Sequence, residues 1–456
     1  MAPARPEREV VVIVVVEDSV YAKVGRRIIP LLFALWLVNF LDRANVGFAA
    51  LQMNEELQLS PAVYGFGAGA FFFGYLALEV PANMLLLRYG ARRWIARIAI
   101  TWGIVSMAQA LVVGPTSFVA VRVALGFAEA GFLPAMLYYL TLWFPAERRA
   151  KAIGQAMSAN VIAIVVGAPL SGLMLTYLDG MAGLGGWQWL FVVEGALAVV
   201  LGFVTLRSLT ERPAEARWLA EEERSWLVAR MAEDATAAGA QGHHSLKDAL
   251  RLPIVYLLGA LYFCWGIGFY GVTLWAPQIV AQLSSGSMLQ TSLLTAVPFA
   301  LGAVAVILNG RHSDRTGERR WHVTIPLLTG ALGLAAGSVV PGAAASFAAL
   351  CVTVVGVSAG LGVFWSVPSQ FLVGRAAAGG LAVINTISSF SGFCGPYLVG
   401  FVRGSTGSFT AAMVVLGASA GVAALLSVVV LRQLRPAGAK TQAAARAGLP
   451  EGDPVA

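Results

Sequence analysis

Charge is scarce in this chain. Only 12% of its 456 residues are Asp, Glu, Lys or Arg, against about 25% in ordinary soluble domains, while 58% are hydrophobic and the mean hydropathy is +0.75. That much apolar surface cannot be hidden from water, so lipid must be the solvent for most of the chain. The three cysteines, Cys264, Cys351 and Cys394, fall in separate apolar runs with no CxxC or metal-ligand spacing, and read as small packing residues. None of the four lysines follows a glycine, which excludes a Walker A phosphate loop, and neither Gly-x-Ser-x-Gly nor His-Glu-x-x-His occurs. Nothing supports an enzyme, and no cofactor is expected. The net charge of +7 lies in loops rather than in a basic stripe interleaved with aromatics, so no nucleic-acid partner is expected.

The sequence does contain a repeat. Arg88–Trp94 reads RYGARRW and returns as RTGERRW at Arg315–Trp321, 227 residues later and about half the chain on. The spacing predicts two homologous halves with a substrate site where they meet. Twelve apolar segments are long enough to cross a bilayer, at about 28–50, 61–86, 94–113, 116–140, 152–178, 187–208, 253–280, 289–310, 322–341, 345–368, 379–402 and 409–431. The expectation is an all-α membrane protein of two pseudo-symmetric six-helix halves, 26–208 and 252–433. A polar connector occupies 209–251, with tails at 1–25 and 434–456. The run Val10–Val16 is too short to span and is followed by no small-residue cleavage site, so it is not read as a signal peptide. Gly65–Ala70 (GFGAGA) resembles a dinucleotide fingerprint but lies inside a span, where close helix packing explains it.

Short loops on one side carry Arg88, Arg92, Arg93, Arg148, Arg149, Lys151, Arg311, Arg315, Arg319, Arg320 and Arg375; those on the other carry Arg403 with Glu55, Glu56 and Asp179. The asymmetry predicts a cytoplasmic location for the basic side, the connector and both termini.

An ionisable residue inside a span costs a few kcal/mol, so each is a functional candidate. The first half has Asp42 and Arg43 in span 1, Glu79 in span 2, Arg122 and Glu129 in span 4 and Glu194 in span 6. The second half has none, only Tyr262, Tyr270, Gln278, Trp365, Gln370, Asn385, Ser388 and Ser389. Arg122 and Glu129 lie two helical turns apart on one face, with about 10 Å of rise between them. Asn39, Asp42 and Asn45 form a stripe beside Arg43. Asp42, Glu129, Arg43 and Arg122 balance as two acids and two bases, which suits a dry site. The alternative is a fixed ion network that only packs helices. Glu79 and Glu194 are expected to fasten helix ends. With His243 and His244 in the connector and His312 and His322 at the turn between spans 8 and 9, a proton relay must use carboxylates, and Glu129 and Asp42 fit.

The turn GRHSDRTGERR at 310–320 resembles the G-x-x-x-D-R-x-G-R-R signature of the major facilitator superfamily, and the likeness runs from about residue 25 to 435. The first-half copy departs from it, with Asn83 and Leu87 in place of Gly and Asp. More narrowly, NFLDRANVGFA (39–49), RVALGFAEAGFLP (122–134) and GFCGPYLVG (392–400) resemble the anion:cation symporter family, which includes tartrate-, phthalate- and galactonate-type permeases. The resemblance implies the major facilitator fold and a proton-coupled symporter of a small organic carboxylate in the bacterial inner membrane, working as a monomer. It implies Arg43 as carboxylate reader, the Arg122–Glu129 pair and Asp42 as the proton-coupling groups, and Tyr75 and Asn160 in the cavity. Trp365 and Asn385 would stand on the second-half wall, with the neutral Tyr270 also counted among the substrate contacts. Arg88, Arg92, Arg93, Asp314, Arg315, Arg319 and Arg320 would gate the basic side by bridging helix ends in the outward-open state. The second arginine that vesicular glutamate carriers have in span 7 is missing. An exporter of cationic or lipophilic compounds shares the fold, but arginines in the cavity oppose it. A non-transporting sensor lacks a signalling domain, since the connector is too short to be one.

Overall fold

A computed structural model describes residues 7–240, 251–284, 286–368 and 374–433. His243, His244 and Gln370 from the sequence reading, and the C-terminal tail, lie outside the described residues, as does the Arg375 side chain.

The chain is a bundle of α-helices: α1 Glu7–Glu56, α2 Pro61–Tyr89, α3 Ala91–Ala108, α4 Pro115–Glu129, α5 Phe132–Trp143, α6 Ala146–Met157, α7 Ala159–Tyr177 and α8 Gly186–Ser208 in the first half. Connector helix α9 (Glu221–Ala240) follows. The second half has α10 Pro253–Leu283, α11 Met288–Thr316, α12 Arg320–Val339, α13 Ala343–Ala359, α14 Leu361–Trp365, α15 Gly374–Ser389, α16 Ser391–Thr406 and α17 Phe409–Gln433. Among the described residues, eleven helical stretches are long and apolar enough to span a membrane. The twelfth expected span, 379–402, is divided between α15 and α16, which meet at Phe390 and are each 16 residues long.

Local sequence sets the boundaries. Ser60 accepts a hydrogen bond from the Val63 amide and Pro61 opens α2, while Ser287 and Gln290 cap α11 reciprocally. The glycine of each repeated heptapeptide, Gly90 and Gly317, has a positive φ (82° and 68°), a backbone state that a side chain would strain. The turns differ beyond that: Gly90 (ψ 156°) alone joins α2 to α3, whereas Gly317 (ψ 1°) is left-handed and is followed by Glu318 and Arg319 before α12.

Helix α1 runs well past the bilayer, so its first turns stand beyond it. There Val20, Tyr21 and Val24 are buried, and α9 docks against the same end. Glu223 pairs with Lys23, Arg230 with Glu147 (3.2 Å) and Asp234 with Arg149 (3.0 Å), while Trp226 meets Tyr21 edge-on at 5.6 Å. Through residue 240 the connector is therefore an ordered part of the first half. Val10–Val16 continues α1 as helix.

The halves touch at the ends remote from the basic turns. A Cβ on Gly65 would lie 2.4 Å from the Pro396 carbonyl oxygen, and one on Gly400 would lie 2.3 Å from that of Pro61, so α2 and α16 approach backbone to backbone. At the basic end, the one hydrogen bond between the halves among the described residues runs from Asn385 Nδ2 to Glu79 Oε1, at 3.1 Å. Among the described residues, the backbone-to-backbone approaches of α2 and α16 therefore close the face remote from the basic turns.

Candidate functional site

One span is broken outright where a candidate residue sits, and three others have slight irregularities that keep right-handed helical dihedrals at Ser158, Gly360 and Phe390. Helix α4 ends at Glu129, and Gly131 (φ 83°) turns the chain into α5. The α6–α7 junction falls at Ser158, two residues before Asn160. The α13–α14 junction at Gly360 precedes Trp365, and the α15–α16 junction at Phe390 follows Asn385. A broken helix frees backbone polar groups, a pattern tolerated where a helix lines protein interior or a cavity.

Close packing of α2 on α4 sets the centre. A Cβ on Gly126 would fall 2.0 Å from the Phe71 carbonyl oxygen, and one on Gly74 would fall 2.1 Å from that of Val123. With nothing between the backbones, Arg122 reaches across α2. It donates to the Ala68 carbonyl at 3.3 Å, and its guanidinium lies 5.3 Å from the Phe71 ring. Arg122 also approaches Gln109 Oε1 at 3.5 Å, yet its Nε has no partner and no carboxylate lies within ion-pair distance among the described residues.

Glu129, fully buried, accepts from Arg43 Nε at 2.9 Å and from Asn39 Nδ2 at 2.8 Å through the same oxygen, Oε2. Arg43 is stacked between Phe71 and Tyr75 at 5.2 and 5.0 Å. Its Nε serves the acid, its guanidinium also lies against Tyr75, and the side chain lines the small cavity. Asp42 points the other way, accepting from Ser106 and from Asn45 Nδ2 (3.2 Å). The second Asn45 hydrogen reaches Glu194 Oε2 at 2.9 Å.

This corrects the sequence reading on two points. Glu194 does not fasten a helix end: it joins Asp42 through the shared Asn45 amide inside the first half, a buried group separate from the Arg43–Glu129 pair. Glu79 does not fasten a helix end either, but bridges the halves by accepting from Asn385, one turn below Tyr75.

Arg43 and Arg122 line one cavity with Phe40, Phe71, Phe72 and Tyr270. It offers about 30 Å³, roughly the room of one water, so an organic solute needs the Phe72–Tyr270 contact (5.0 Å, edge-on) to part. A separate cleft of about 650 Å³ lies within the first half, between α1 (Arg26, Ile29, Phe33) and α6 (Arg148, Lys151, Gln155). Trp365 donates to the Tyr262 hydroxyl at 3.3 Å within a second-half aromatic cluster. Asn160 holds a buried side-chain oxygen with no partner among the described residues and does not line the small cavity. Arg92 donates to the Leu206 carbonyl, and Arg319 pairs with Asp314 at 2.7 Å, each within its own half. No ion pair among the described residues joins the two basic turns in this arrangement.

Two halves built of membrane-length helices, meeting at a small cavity that two arginines line, define a multi-pass membrane carrier. The family model of the Major Facilitator Superfamily matches residues 32–396, and the chain belongs to that superfamily of transporters. A protein of Agrobacterium vitis, provisionally named a tartrate transporter, is 43% identical over 424 residues, covering 93% of this chain and 97% of the relative. A quinolone resistance transporter of Acinetobacter baumannii is 38% identical over 397 residues, 87% of this chain and 91% of that one. Among solved structures, an inward-facing, occupied bacterial homologue of the human lysosomal transporter Spinster superposes with a TM-score of 0.71 at 19% identity, covering 89% of this chain and 96% of that one. The protein is a transporter and not an enzyme.

Proposed function

We propose that this transporter carries a small organic carboxylate, such as a sugar acid, a tartrate-like acid or an aromatic acid, together with protons across the bacterial inner membrane. The observation that carries the reading is the pairing of Arg43 with Glu129 through Nε alone, beside an Arg122 that has no carboxylate partner. A proton on Glu129 weakens its hold on Arg43, and a substrate carboxylate takes the guanidinium fork in its place. Asp42 is the second proton site. Tyr75, Tyr270, Trp365, Asn385 and Asn160 shape and hydrogen-bond the cargo, Asn385 once Glu79 releases it. The relative named for tartrate supports this cargo class.

In this reading the basic face is cytoplasmic, the closed face periplasmic, and the protein works as a monomer whose halves, 26–208 and 252–433, rock about the site. Arg88, Arg92, Arg93, Asp314, Arg315, Arg319 and Arg320 close the basic side in the opposite state. The quinolone-resistance relative favours export of another solute class as the second reading, although two cavity arginines repel a cationic cargo. The test is uptake of a panel of carboxylic acids into proteoliposomes with and without an imposed pH gradient, after a thermal-shift screen. A ligand at 100 times its Kd stabilises by about 2.7 kcal/mol. Failure of every acid to accumulate, with quinolones moving against the gradient, overturns the symport reading.

A further inference from the structure

The closed face is held by neutral groups centred on one side chain. Gln278, on α10 of the second half, accepts at the same oxygen from Asn54 Nδ2 of α1 (3.4 Å) and from Arg403 Nη1 of α16 (3.1 Å). These residues sit near the ends of their helices: Glu56 closes α1, Leu283 closes α10 and Thr406 closes α16. One turn inward, the buried Tyr64 of α2 donates to the Leu274 carbonyl at 2.9 Å and meets the Trp275 ring edge-on at 4.8 Å. Trp275 is fixed by its own bond to the Pro396 carbonyl (3.1 Å). Arg403, in the last turn of α16, stacks over Phe409 at 4.1 Å and Trp275 at 5.4 Å. It is held entirely within the second half, whereas the Asn54 and Tyr64 bonds cross between halves.

We propose that Gln278 is the outer latch of the transport cycle. Asn54 is its partner across the halves, and Arg403 is the positioning residue that keeps the Gln278 carbonyl aimed at Asn54. The face can open only when the Asn54 bond and the Tyr64–Leu274 bond release together, because both join α10 to the first half at the same level. The latch is built to let go. Asn54 Oδ1 and Gln278 Nε2 are buried without partners, so the amide pair makes one of the two bonds it could, and opening hydrates both orphaned atoms. An ion pair here would lose a desolvated charge pair on every cycle; an amide pair loses little. This inference needs only a transporter with two faces and stands whatever the cargo.

The test is pulsed electron–electron resonance on purified protein with the native cysteines replaced. One sample carries spin labels at Glu55→Cys and Ser405→Cys on the closed face, another at Arg93→Cys and Thr316→Cys on the basic face. In Gln278→Leu and in Asn54→Leu, the long-distance population of the closed-face pair should rise at least about threefold, and the basic-face pair should shorten reciprocally. Gln278→Glu keeps an acceptor for both donors and should not lengthen the closed-face pair. Gln278→Leu with unchanged distances overturns the latch. So does a lengthened outer pair without inner shortening, since local loosening moves one end only. Arg403→Gln should lengthen the outer pair as Gln278→Leu does; unchanged distances there remove Arg403 as the positioning residue. None of these outcomes depends on whether a carboxylate is the cargo.

Discussion

Arg43 meets Glu129 through its Nε, at 2.9 Å, while its guanidinium packs between the Phe71 and Tyr75 rings at the small cavity. The two residues stand 86 positions apart on different helices. Their orientation joins the place of an acid to the place of a ligand: what loosens one bond presents the other.

Arg43→Lys should lower carboxylate binding at least about tenfold, although the charge is kept. An ammonium cannot serve Glu129 with one group and hold a carboxylate bidentately with two more. Isothermal titration with the best acid from the thermal-shift screen measures this; binding within twofold of the parent removes Arg43 as the reader.

Glu129→Gln should separate exchange from accumulation. Glutamine can still accept from Asn39 and Arg43 but cannot carry a proton, so gradient-driven uptake into proteoliposomes should vanish while substrate counterflow persists. If the variant still concentrates substrate in response to a pH gradient, coupling lies elsewhere, with Asp42→Asn the companion variant because neighbouring acids titrate as a pair.

Glu194→Ala should cost about 1–3 kcal/mol of stability, since one hydrogen of the buried Asn45 amide is left without an acceptor. Glu194→Gln retains an acceptor and should stay within about 1 kcal/mol of the parent. Denaturant or thermal unfolding in detergent tells the two apart; equal losses would mean that packing, not the hydrogen bond, sets the effect.

Orientation is testable without knowing the cargo. In a cysteine-free background, Glu56→Cys should react with an impermeant maleimide applied to whole cells, and Arg93→Cys and Thr316→Cys should react only after the membrane is opened. Labelling of Arg93→Cys from outside reverses the assignment of faces.

Much of the architecture was legible in the residues because lipid imposes a simple constraint: every backbone polar group must be satisfied inside a span, so length and hydropathy alone locate helices. The repeated RYGARRW and RTGERRW turns disclosed the halves, and the glycine in each takes the positive φ that only glycine adopts freely. The cost of a charge in hydrocarbon likewise singled out Asp42, Arg43, Arg122 and Glu129, and all four lie together at the centre of the first half.

What the chain could not disclose is which polar atom faces which. Sequence spacing gives the face of one helix, not the azimuth of its neighbour, so Glu194 read as a helix-end residue until α8 was seen to turn it onto Asn45. The same holds for Glu79 and Asn385, 306 positions apart, and for Asn54, Gln278 and Arg403, which no periodicity connects. Close approaches at Gly65, Gly74, Gly126 and Gly400 decide those azimuths, because a missing side chain lets one backbone settle into another at a single register. The sequence by itself determined the helices, their order and the half that carries charge, since each follows from local transfer free energy. The tertiary structure alone decided that Arg43 serves Glu129 while Arg122 turns to the Ala68 carbonyl, and which face is shut, since those depend on distances between helices that hydrophobicity does not encode.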